Sequence, residues 1–372
     1  MVQKHSTPQR IKAGVLVILV SAGLSACATV DSSSGATIGL VLTQWRHALH
    51  ETPNGQEECP DGFSVSEAAQ HRAQDNSQQR REEYGYFLNR GRNGEHAAFM
   101  PWMVEDPLPS PELHTDIGYG LNLDGTLTGD ASVNSCQHQK FTSASGDKVD
   151  NQLARVVGCT ASWRTGGFAA EFFSQEIISF PLNRILIEIS GVDNERNDTQ
   201  VTVRLYKGKD GLLQGAGGRF APHQSQRIDE RYPRYHHETR GKIVDGVLTT
   251  QPISKAWLPI YWVQTPTERL VRNMQLRLLL TDDGAEGLLG GYEDLKIWWS
   301  AHSRGIGGSA GSVGPFSNAA YYRAAHRYAD GFPDPESGRC TAISAAYKIS
   351  AVRALIAHPN ADQSGNSAMT LR

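Results

Sequence analysis

Eight short apolar runs, each bounded by Gly, Pro, Asp or Asn, do most to limit the fold of this 372-residue chain. They occupy residues 153–163, 172–180, 184–190, 199–206, 242–250, 258–263, 275–281 and 292–299. The fourth run alternates, with Val201, Val203 and Leu205 on one face, as in a strand that is buried on one side. A polar, turn-rich stretch joins the third run to the fourth, which is typical of a hairpin loop. Because no helix of crossover length separates these runs, the sequence predicts a mainly β fold, an antiparallel β-sandwich or jelly roll.

The segments on either side of the β region are expected to be helical. Residues 66–83 are polar and favour one exposed helix. Residues 318–330 predict a second helix, which ends before Gly331, and the Ala-rich residues 341–357 predict a third. The expected organisation is a polar helical segment over 38–100, a β domain over 101–300, and a Gly/Ser loop with helices packed on the β domain over 301–372.

Composition supports a folded protein and argues against two functional classes. Hydrophobic residues make up 39% of the chain, which is enough to bury a core. The 36 basic and 39 acidic residues nearly balance, so the charge does not indicate a nucleic-acid partner. The sequence has neither a P-loop nor a strand-linked Gly-x-Gly-x-x-Gly motif, so nucleotide-driven chemistry is not expected.

Residues 1–26 have the pattern of an export signal. Lys4, Arg10 and Lys12 form a basic region, and an apolar stretch follows over residues 13–24. That stretch has about 12 residues, whereas a helix needs roughly 20 to cross the hydrocarbon core of a bilayer. The length is instead typical of the apolar region of a secretory signal peptide.

The export signal ends at Leu24-Ser25-Ala26-Cys27, which resembles the lipobox of bacterial lipoproteins. The resemblance is confined to residues 1–27, and it implies that the signal is removed and that Cys27 carries acyl chains such as palmitate. Ala28 stands where Asp would retain a lipoprotein at the inner membrane, so the resemblance implies an outer-membrane protein, periplasmic or surface-exposed. Residues 27–37 then form the tether between lipid and body. Loss of the three basic signal residues leaves 33 basic and 39 acidic residues, a formal charge near −6.

Export to an oxidising compartment predicts that the four other cysteines form two disulfides. Three pairings of four cysteines exist. We expect Cys136–Cys159, because it closes a short loop, together with Cys59–Cys340, which would join the N-terminal and C-terminal segments. Metal ligation by these cysteines is not expected, because none of them stands in a Cys-x-x-Cys pair.

Residues 116–130 carry alternating oxygen side chains and several glycines, which suggests a calcium loop. Asn122 and Asp124 would hold the third and fifth ligand positions, and Asp130 is a further candidate ligand. Gly120 takes the first position and no Glu stands at the twelfth, so the loop is not an EF-hand. Additional oxygens could come from Asp147, Asp150 and Asn151. The alternative is a Gly-rich β-turn whose Asn and Asp side chains bond to the backbone.

Gly307-Gly308-Ser309-Ala310-Gly311 matches the Gly-x-Ser-x-Gly pattern of serine hydrolases. In those enzymes the serine stands between the end of a strand and the start of a helix. Here the nearest predicted strand ends near Trp299, and more Gly and Ser follow the motif. A flexible loop therefore explains the match better than a catalytic serine does.

His236-His237-Glu238 is a third candidate group. Adjacent histidines on an extended chain point to opposite sides, so they make a poor chelating pair, and a solvated loop is expected. The Arg- and Tyr-rich residues 227–240 around them could nevertheless stack on sugar rings or hold an anion. A further stacking platform could come from Trp257, Trp262, Trp298 and Trp299, although core packing explains most of these rings without a ligand.

These features together predict a non-catalytic binding or accessory lipoprotein that presents loops to a glycan or another envelope component. One alternative is an envelope scaffold whose helical ends dock a protein partner, which a large apolar patch on those helices would favour. A second alternative is a secreted hydrolase that uses Ser309 or a metal near Asp124. Membrane contact is expected through the lipid anchor, with Ca²⁺ as the one candidate cofactor.

Overall fold

Eight antiparallel strands close into a barrel in the computed structural model, so the fold is mainly β, as the sequence predicts. The structure describes residues 35–63, 98–103, 112–262, 265–305 and 318–359. All of these residues belong to one unit, residues 34–372. In this described part of the chain, no helix has both the length and the apolar character needed to cross a membrane.

The elements are named in chain order. The strands are β1 (Ala36–His47), β2 (Phe141–Thr142), β3 (Lys148–Val149), β4 (Ile185–Val192), β5 (Asp198–Lys207), β6 (Gln224–Arg227), β7 (His237–Val244), β8 (Val247–Thr250), β9 (Ile253–Trp262), β10 (Thr265–Leu280), β11 (Gly284–Asp294), β12 (Gly331–Pro333) and β13 (Cys340–Ala357). The α-helices are α1 (Gln152–Val157), α2 (Phe168–Ser179), α3 (Leu295–Gly305) and α4 (Asn318–Arg327). Short 3₁₀ helices cover Pro101–Met103, Ala161–Trp163, Pro181–Asn183 and Pro233–Tyr235.

β1 closes the barrel because it pairs with β4 on one side and with β13 on the other. Leu40 lies opposite Ile187 of β4 and opposite Arg353 of β13. The order around the barrel is β1-β4-β5-β7-β8-β10-β11-β13. The sequence predicted a sandwich or jelly roll, whereas the structure has one sheet that closes on itself. Closure pairs the strand edges that an open sheet would leave exposed.

Alternating side chains separate the inside of the barrel from its outside. Val201, Val203 and Leu205 of β5 are buried in the main core, as the alternation of the run 199–206 predicts. Leu186 of β4 points the other way and belongs to a small outer core. The other buried members of that outer core are Val41, Ile228 and Ala354.

The Ala-rich residues 341–357 form strand β13, and the helix predicted there is wrong. Alanine favours an isolated helix, but β13 pairs with β1 along one edge and with β11 along the other. Ala342, Ala345 and Ala346 are almost completely buried in this position. Hydrogen bonding to two neighbouring strands and burial of these side chains therefore outweigh the intrinsic propensity of alanine for a helix.

Three of the predicted strands contain helix. Residues 153–163 form most of α1 and a 3₁₀ helix, residues 172–180 lie largely in α2, and residues 292–299 divide between β11 and α3. A short apolar run fits a buried helix as well as a strand, so periodicity alone could not separate the two. α2 packs against β1 and α3 packs against β10, so both helices cover the barrel.

The ends of the chain differ from the predicted domain organisation. Residues 38–47 were expected in a polar helical segment, yet they lie in β1, so the barrel begins at Ala36 rather than near residue 101. The helix predicted over 318–330 is present as α4. The helix predicted over 66–83 lies outside the described residues.

All four cysteines are paired in two disulfides, but the predicted pairing is wrong. The disulfides are Cys59–Cys159 and Cys136–Cys340. The preference for a short loop failed because tertiary contacts bring Cys159 next to Cys59, with their Cα atoms 5.6 Å apart. Cys136 instead lies beside the start of β13, where its N–H donates to the carbonyl of Asp330 at 2.8 Å.

Candidate functional site

The proposed calcium loop surrounds a buried lysine. Lys140 Nζ lies 2.6 Å from Asp124 Oδ1, 2.7 Å from Asp150 Oδ1 and 3.3 Å from Asn122 Oδ1. The exposed fraction of the side chain is 2% for Lys140 and 0% for both aspartates. The ammonium group thus balances two carboxylates that are fully removed from water.

The loop itself is the Gly-rich turn that the sequence offered as the alternative to a calcium site. Asn122 Oδ1 accepts the N–H of Gly125, and Asp124 Oδ1 accepts the N–H of Thr126. Gly125 has a φ of 76°, a conformation that glycine adopts without strain. Asp130 is exposed and bonds to the hydroxyl of Thr128 at 2.6 Å.

The oxygens expected to bind Ca²⁺ already hold an ammonium group. Asn122 and Asp124 both face Lys140 Nζ, so a Ca²⁺ ion at these ligands would have to displace it. Asp124, His138 and Asp150 do place one ligand atom each within 4.8 Å of one another. Two of these three residues are the carboxylates that hold the lysine, so the loop works as an internal salt bridge.

His138 extends the buried network from Lys140. Its Nδ1 lies 2.9 Å from the carbonyl of Cys136, and its Nε2 lies 2.8 Å from Asp150 Oδ1 and 3.7 Å from Asp330 Oδ2. Both ring nitrogens face acceptors, which favours a proton on each. Burial alone would lower the pKa of His138, but the hydrogen bond to Asp150 and the Asp330 carboxylate outweigh it and raise the pKa.

Asp330 is the third carboxyl group of the network and is fully buried. Its Oδ1 accepts the N–H of Ser344 at 2.6 Å, whereas Oδ2 has no hydrogen-bond partner among the described residues. Burial raises the pKa of Asp330 to about 7. When Asp330 is protonated, the charges of His138 and Lys140 balance the carboxylates of Asp124 and Asp150. The network is therefore neutral below that pH.

Replacing Asp330 with Asn is expected to remove a pH dependence of stability. Between its ordinary pKa of 3.8 and about 7, Asp330 holds a proton in the folded state that it has lost in the unfolded state. The free energy of unfolding of the wild type therefore falls as pH rises through this window, by up to about 1.4 kcal/mol per pH unit. Asn mimics the protonated acid. The free energy of unfolding of the variant should therefore rise relative to that of the wild type as the pH increases from 4.5 to 7.5. Urea unfolding of both proteins at several pH values measures this, and a difference that stays constant with pH would contradict it.

An open polar cleft of about 330 Å³ lies against this network. Residues 112–114, 137–139 and 327–329 line it together with Gln152 and Arg155 of α1. His138 is one of the lining residues, so the cleft borders the buried charges. Most of the lining side chains are amides, imidazoles or guanidinium groups, which offer many hydrogen bonds and a net positive charge.

Arg155 is the cation buried most deeply among the residues that line the cleft. It is 6% exposed, and its guanidinium lies 4.3 Å from the centre of the Phe141 ring. Nη1 donates to the carbonyl of Leu113 at 3.2 Å, and Nε donates to Gln152 Oε1 at 3.2 Å. Nη2 is buried without a hydrogen-bond partner in the described part of the chain. A guanidinium held this way has one donor nitrogen, Nη2, that lacks an acceptor.

Glu112 supplies a carboxylate within the same cleft. Its two oxygens accept hydrogen bonds from Arg327 and from the hydroxyl of Tyr328. Arg327 is exposed, and its guanidinium also lies 5.3 Å from the centre of the Tyr328 ring. The cleft thus already holds one carboxylate against a guanidinium and a phenol.

The His236-His237-Glu238 group lies at the start of β7 and not in a metal site. His237 Nε2 lies 2.9 Å from the carbonyl oxygen and 3.0 Å from the backbone N of Trp257 on β9. Burial lowers the pKa of His237, which agrees with a neutral ring. Glu238 pairs with Arg204 at 2.8 Å. These side chains hold the sheet together.

The remaining sequence candidates have little part in the cleft. Trp298 and Trp299 both lie on α3 and are buried, with exposed fractions of 3% and 6%. They therefore do not alternate between two faces of a strand, as was expected. Cys27 and Ser309 lie outside the described residues.

The sequence pattern identifies the turn but not the cations of the buried network and of the cleft. Asn122 and Asp124 were chosen for their oxygens, whereas His138, Lys140 and Arg155 belong to no motif. The spacing of His138 and Lys140 was a usable signal, because side chains two residues apart share one face of an extended segment. No protein-family model matches the chain. Neither the curated proteins nor the solved structures give a significant match either.

Proposed function

We propose that this chain is a lipid-anchored binding protein of the bacterial outer membrane whose polar cleft recognises an acidic saccharide. The observation that carries the proposal is Arg155, a buried guanidinium that lines the cleft and has one unpaired donor group. A buried donor without an acceptor costs stability, so such groups are retained where a ligand supplies the acceptor. A carboxylate is the acceptor that a guanidinium pairs with best.

The other polar side chains of the cleft fit the rest of a sugar acid. Gln137, Gln139 and Gln152 line it, and amide side chains both donate to and accept from hydroxyl groups. A volume of about 330 Å³ is at the lower end of the range for small-molecule sites, which suits one or two sugar units. The half-buried Tyr328 also lines the cleft and offers an aromatic ring for contact with a sugar.

Glu112 acts as an internal substitute for the carboxylate of the ligand. It already occupies the guanidinium of Arg327 and the hydroxyl of Tyr328. A ligand carboxylate that enters the cleft has to compete with Glu112 or meet its negative charge. The two residues therefore act on affinity in opposite directions, with Arg327 favouring an acidic ligand and Glu112 opposing it.

The protonation of His138 supports binding rather than hydrolysis. Each ring nitrogen faces an acceptor, Cys136 O for Nδ1 and Asp150 Oδ1 for Nε2. An imidazolium held on both sides has no lone pair with which to take a proton from water or from a serine hydroxyl. Its charge is balanced by the Asp150 carboxylate within the buried network.

The start of β1 and the cleft lie at opposite ends of the barrel. β1 begins at Ala36, nine positions after Cys27, and nine residues reach at most about 30 Å. β13 runs antiparallel to β1, and Ser344 near its start contacts both Gln152 and Asp330 beside the cleft. The cleft therefore lies at the end of the barrel that is distant from Ala36, the first residue of β1.

Calorimetric titration of the mature protein in detergent with digalacturonate tests the cleft. We expect binding of digalacturonate, weakening by roughly tenfold in Arg327→Ala, since a hydrogen bond to a charged group contributes about 1.5–3 kcal/mol. Glu112→Gln is expected to bind several-fold more tightly than the wild type. Arg277→Ala removes an exposed arginine on β10 and should change nothing.

Two outcomes would overturn the proposal. The first is equal affinity for digalacturonate and for a neutral galactose disaccharide, because the guanidinium groups would then play no part. The second is no gain in affinity in Glu112→Gln, because the carboxylate would then not oppose the ligand. The intact mass of the same preparation checks whether Cys27 carries acyl chains.

A further inference from the structure

A second, smaller cavity lies at the end of the barrel where β1 finishes. Its walls are mainly aromatic, and the rings that line it are Trp45, Trp163, Phe173, Trp298, Tyr321 and Tyr347. Its enclosed volume is about 30 Å³, which is room for about two water molecules. The half-buried residues His47 and Trp163 and the 16% exposed Arg269 mark its opening to solvent.

Three residues that line this cavity have a buried polar atom without a hydrogen-bond partner among the described residues. The atoms are Trp45 Nε1, Arg269 Nε and His302 Nε2. Trp45 is 2% exposed, and its N–H is buried within the protein. Buried polar groups are nearly always paired, and three unpaired ones around one cavity are a marked departure from that rule.

The charge of Arg269 is already balanced, so the cavity does not call for an anion. Arg269 Nη1 lies 3.1 Å from Glu293 Oε1 and 3.2 Å from the hydroxyl of Tyr347. Burial and the nearby Arg269 lower the pKa of His47 to about 3. The same two causes lower the pKa of His302 to about 4. Both imidazoles are therefore neutral at physiological pH, and a neutral ligand that accepts hydrogen bonds suits this lining best.

We propose that this cavity binds the acetamido group of an N-acetylated sugar. The carbonyl oxygen accepts from the N–H groups of Trp45 and Arg269, and the methyl group packs against the surrounding rings. The group is flat and uncharged, which suits the aromatic and neutral lining. This site is independent of the polar cleft, because no residue lines both.

Titration of the mature protein in detergent with N-acetylglucosamine, followed by tryptophan fluorescence and calorimetry, tests the site. We expect N-acetylglucosamine to bind and glucosamine, which lacks the acetyl group, to bind at least tenfold more weakly. Trp45→Phe keeps an aromatic ring but removes the indole N–H, so it should weaken binding of N-acetylglucosamine about fivefold. Ala301→Leu fills the cavity from α3 and should abolish binding.

Two variants serve as controls for the cavity. Trp257→Phe makes the same change at a tryptophan that does not line the cavity, and Arg327→Ala alters the polar cleft alone. Neither variant should change the affinity of the protein for N-acetylglucosamine. The proposal is overturned if N-acetylglucosamine does not bind, in which case water fills the cavity. It is also overturned if Ala301→Leu and Trp45→Phe, with unchanged circular dichroism spectra, bind the sugar as the wild type does.

Discussion

Replacing Lys140 with Met is expected to lower the free energy of unfolding by about 3–5 kcal/mol. The ammonium lies 2.6 Å from Asp124 Oδ1 and 2.7 Å from Asp150 Oδ1, and all three side chains are buried. Without the ammonium, two carboxylates remain close together in a site that water does not reach. Either both stay charged at a high cost, or one takes up a proton. Chemical denaturation of wild type and variant at pH 7 measures the loss.

Lys148→Met is the matched control for this change. Lys148 is exposed on β3, eight positions after Lys140, and its ammonium bonds to the hydroxyl of Thr142. Its replacement should alter stability by no more than about 0.5 kcal/mol. EDTA should leave the midpoint of the wild type unchanged, because the lysine supplies the cation of the loop. A midpoint that falls with EDTA and recovers with Ca²⁺ would contradict this and restore the calcium prediction.

Local alternation predicted strands well where a segment has one buried face. Residues 199–206 form most of β5 with the predicted side chains inside, and the link before them is a hairpin. The local pattern failed where the burial of a segment depends on strands that are distant from it in the sequence. Residues 341–357 have the composition of a helix, and only their pairing with β1 and β11 makes them a strand. Closure of the barrel depends on the same long-range pairings, so the sequence could not separate it from a sandwich.

The turn in the candidate site could be predicted from the sequence, whereas the charged side chains that surround it could not. Gly125 and the oxygens of Asn122 and Asp124 have a local pattern, and the structure shows the turn they favour. Lys140 takes the place of the expected Ca²⁺ ion because the fold brings this residue, sixteen positions after Asp124, back against the loop. The local sequence does not determine which cation the loop binds. Arg155 and Glu112 meet in the cleft for the same reason, since separate segments bring them together.

Removing the disulfide Cys136–Cys340 is expected to cost about 2–5 kcal/mol of the free energy of unfolding. The two cysteines are 204 residues apart, so the bond restricts a large part of the unfolded chain. It also joins the segment that holds His138 to the start of β13, close to Asp330. The double variant Cys136→Ala/Cys340→Ala should therefore lower the midpoint of unfolding.

Cys59→Ala/Cys159→Ala gives the comparison that separates the two contributions. This second disulfide spans 100 residues, and each doubling of loop length adds only about 0.6 kcal/mol in the loop-closure model. Chain entropy alone then predicts nearly equal losses for the two double variants. A clearly larger loss on removing Cys136–Cys340 would assign the excess to the buried network, and that excess should shrink in Asp330→Asn. Peptide mapping without reduction comes first, because a Cys136–Cys159 peptide would refute both pairings on which the comparison depends.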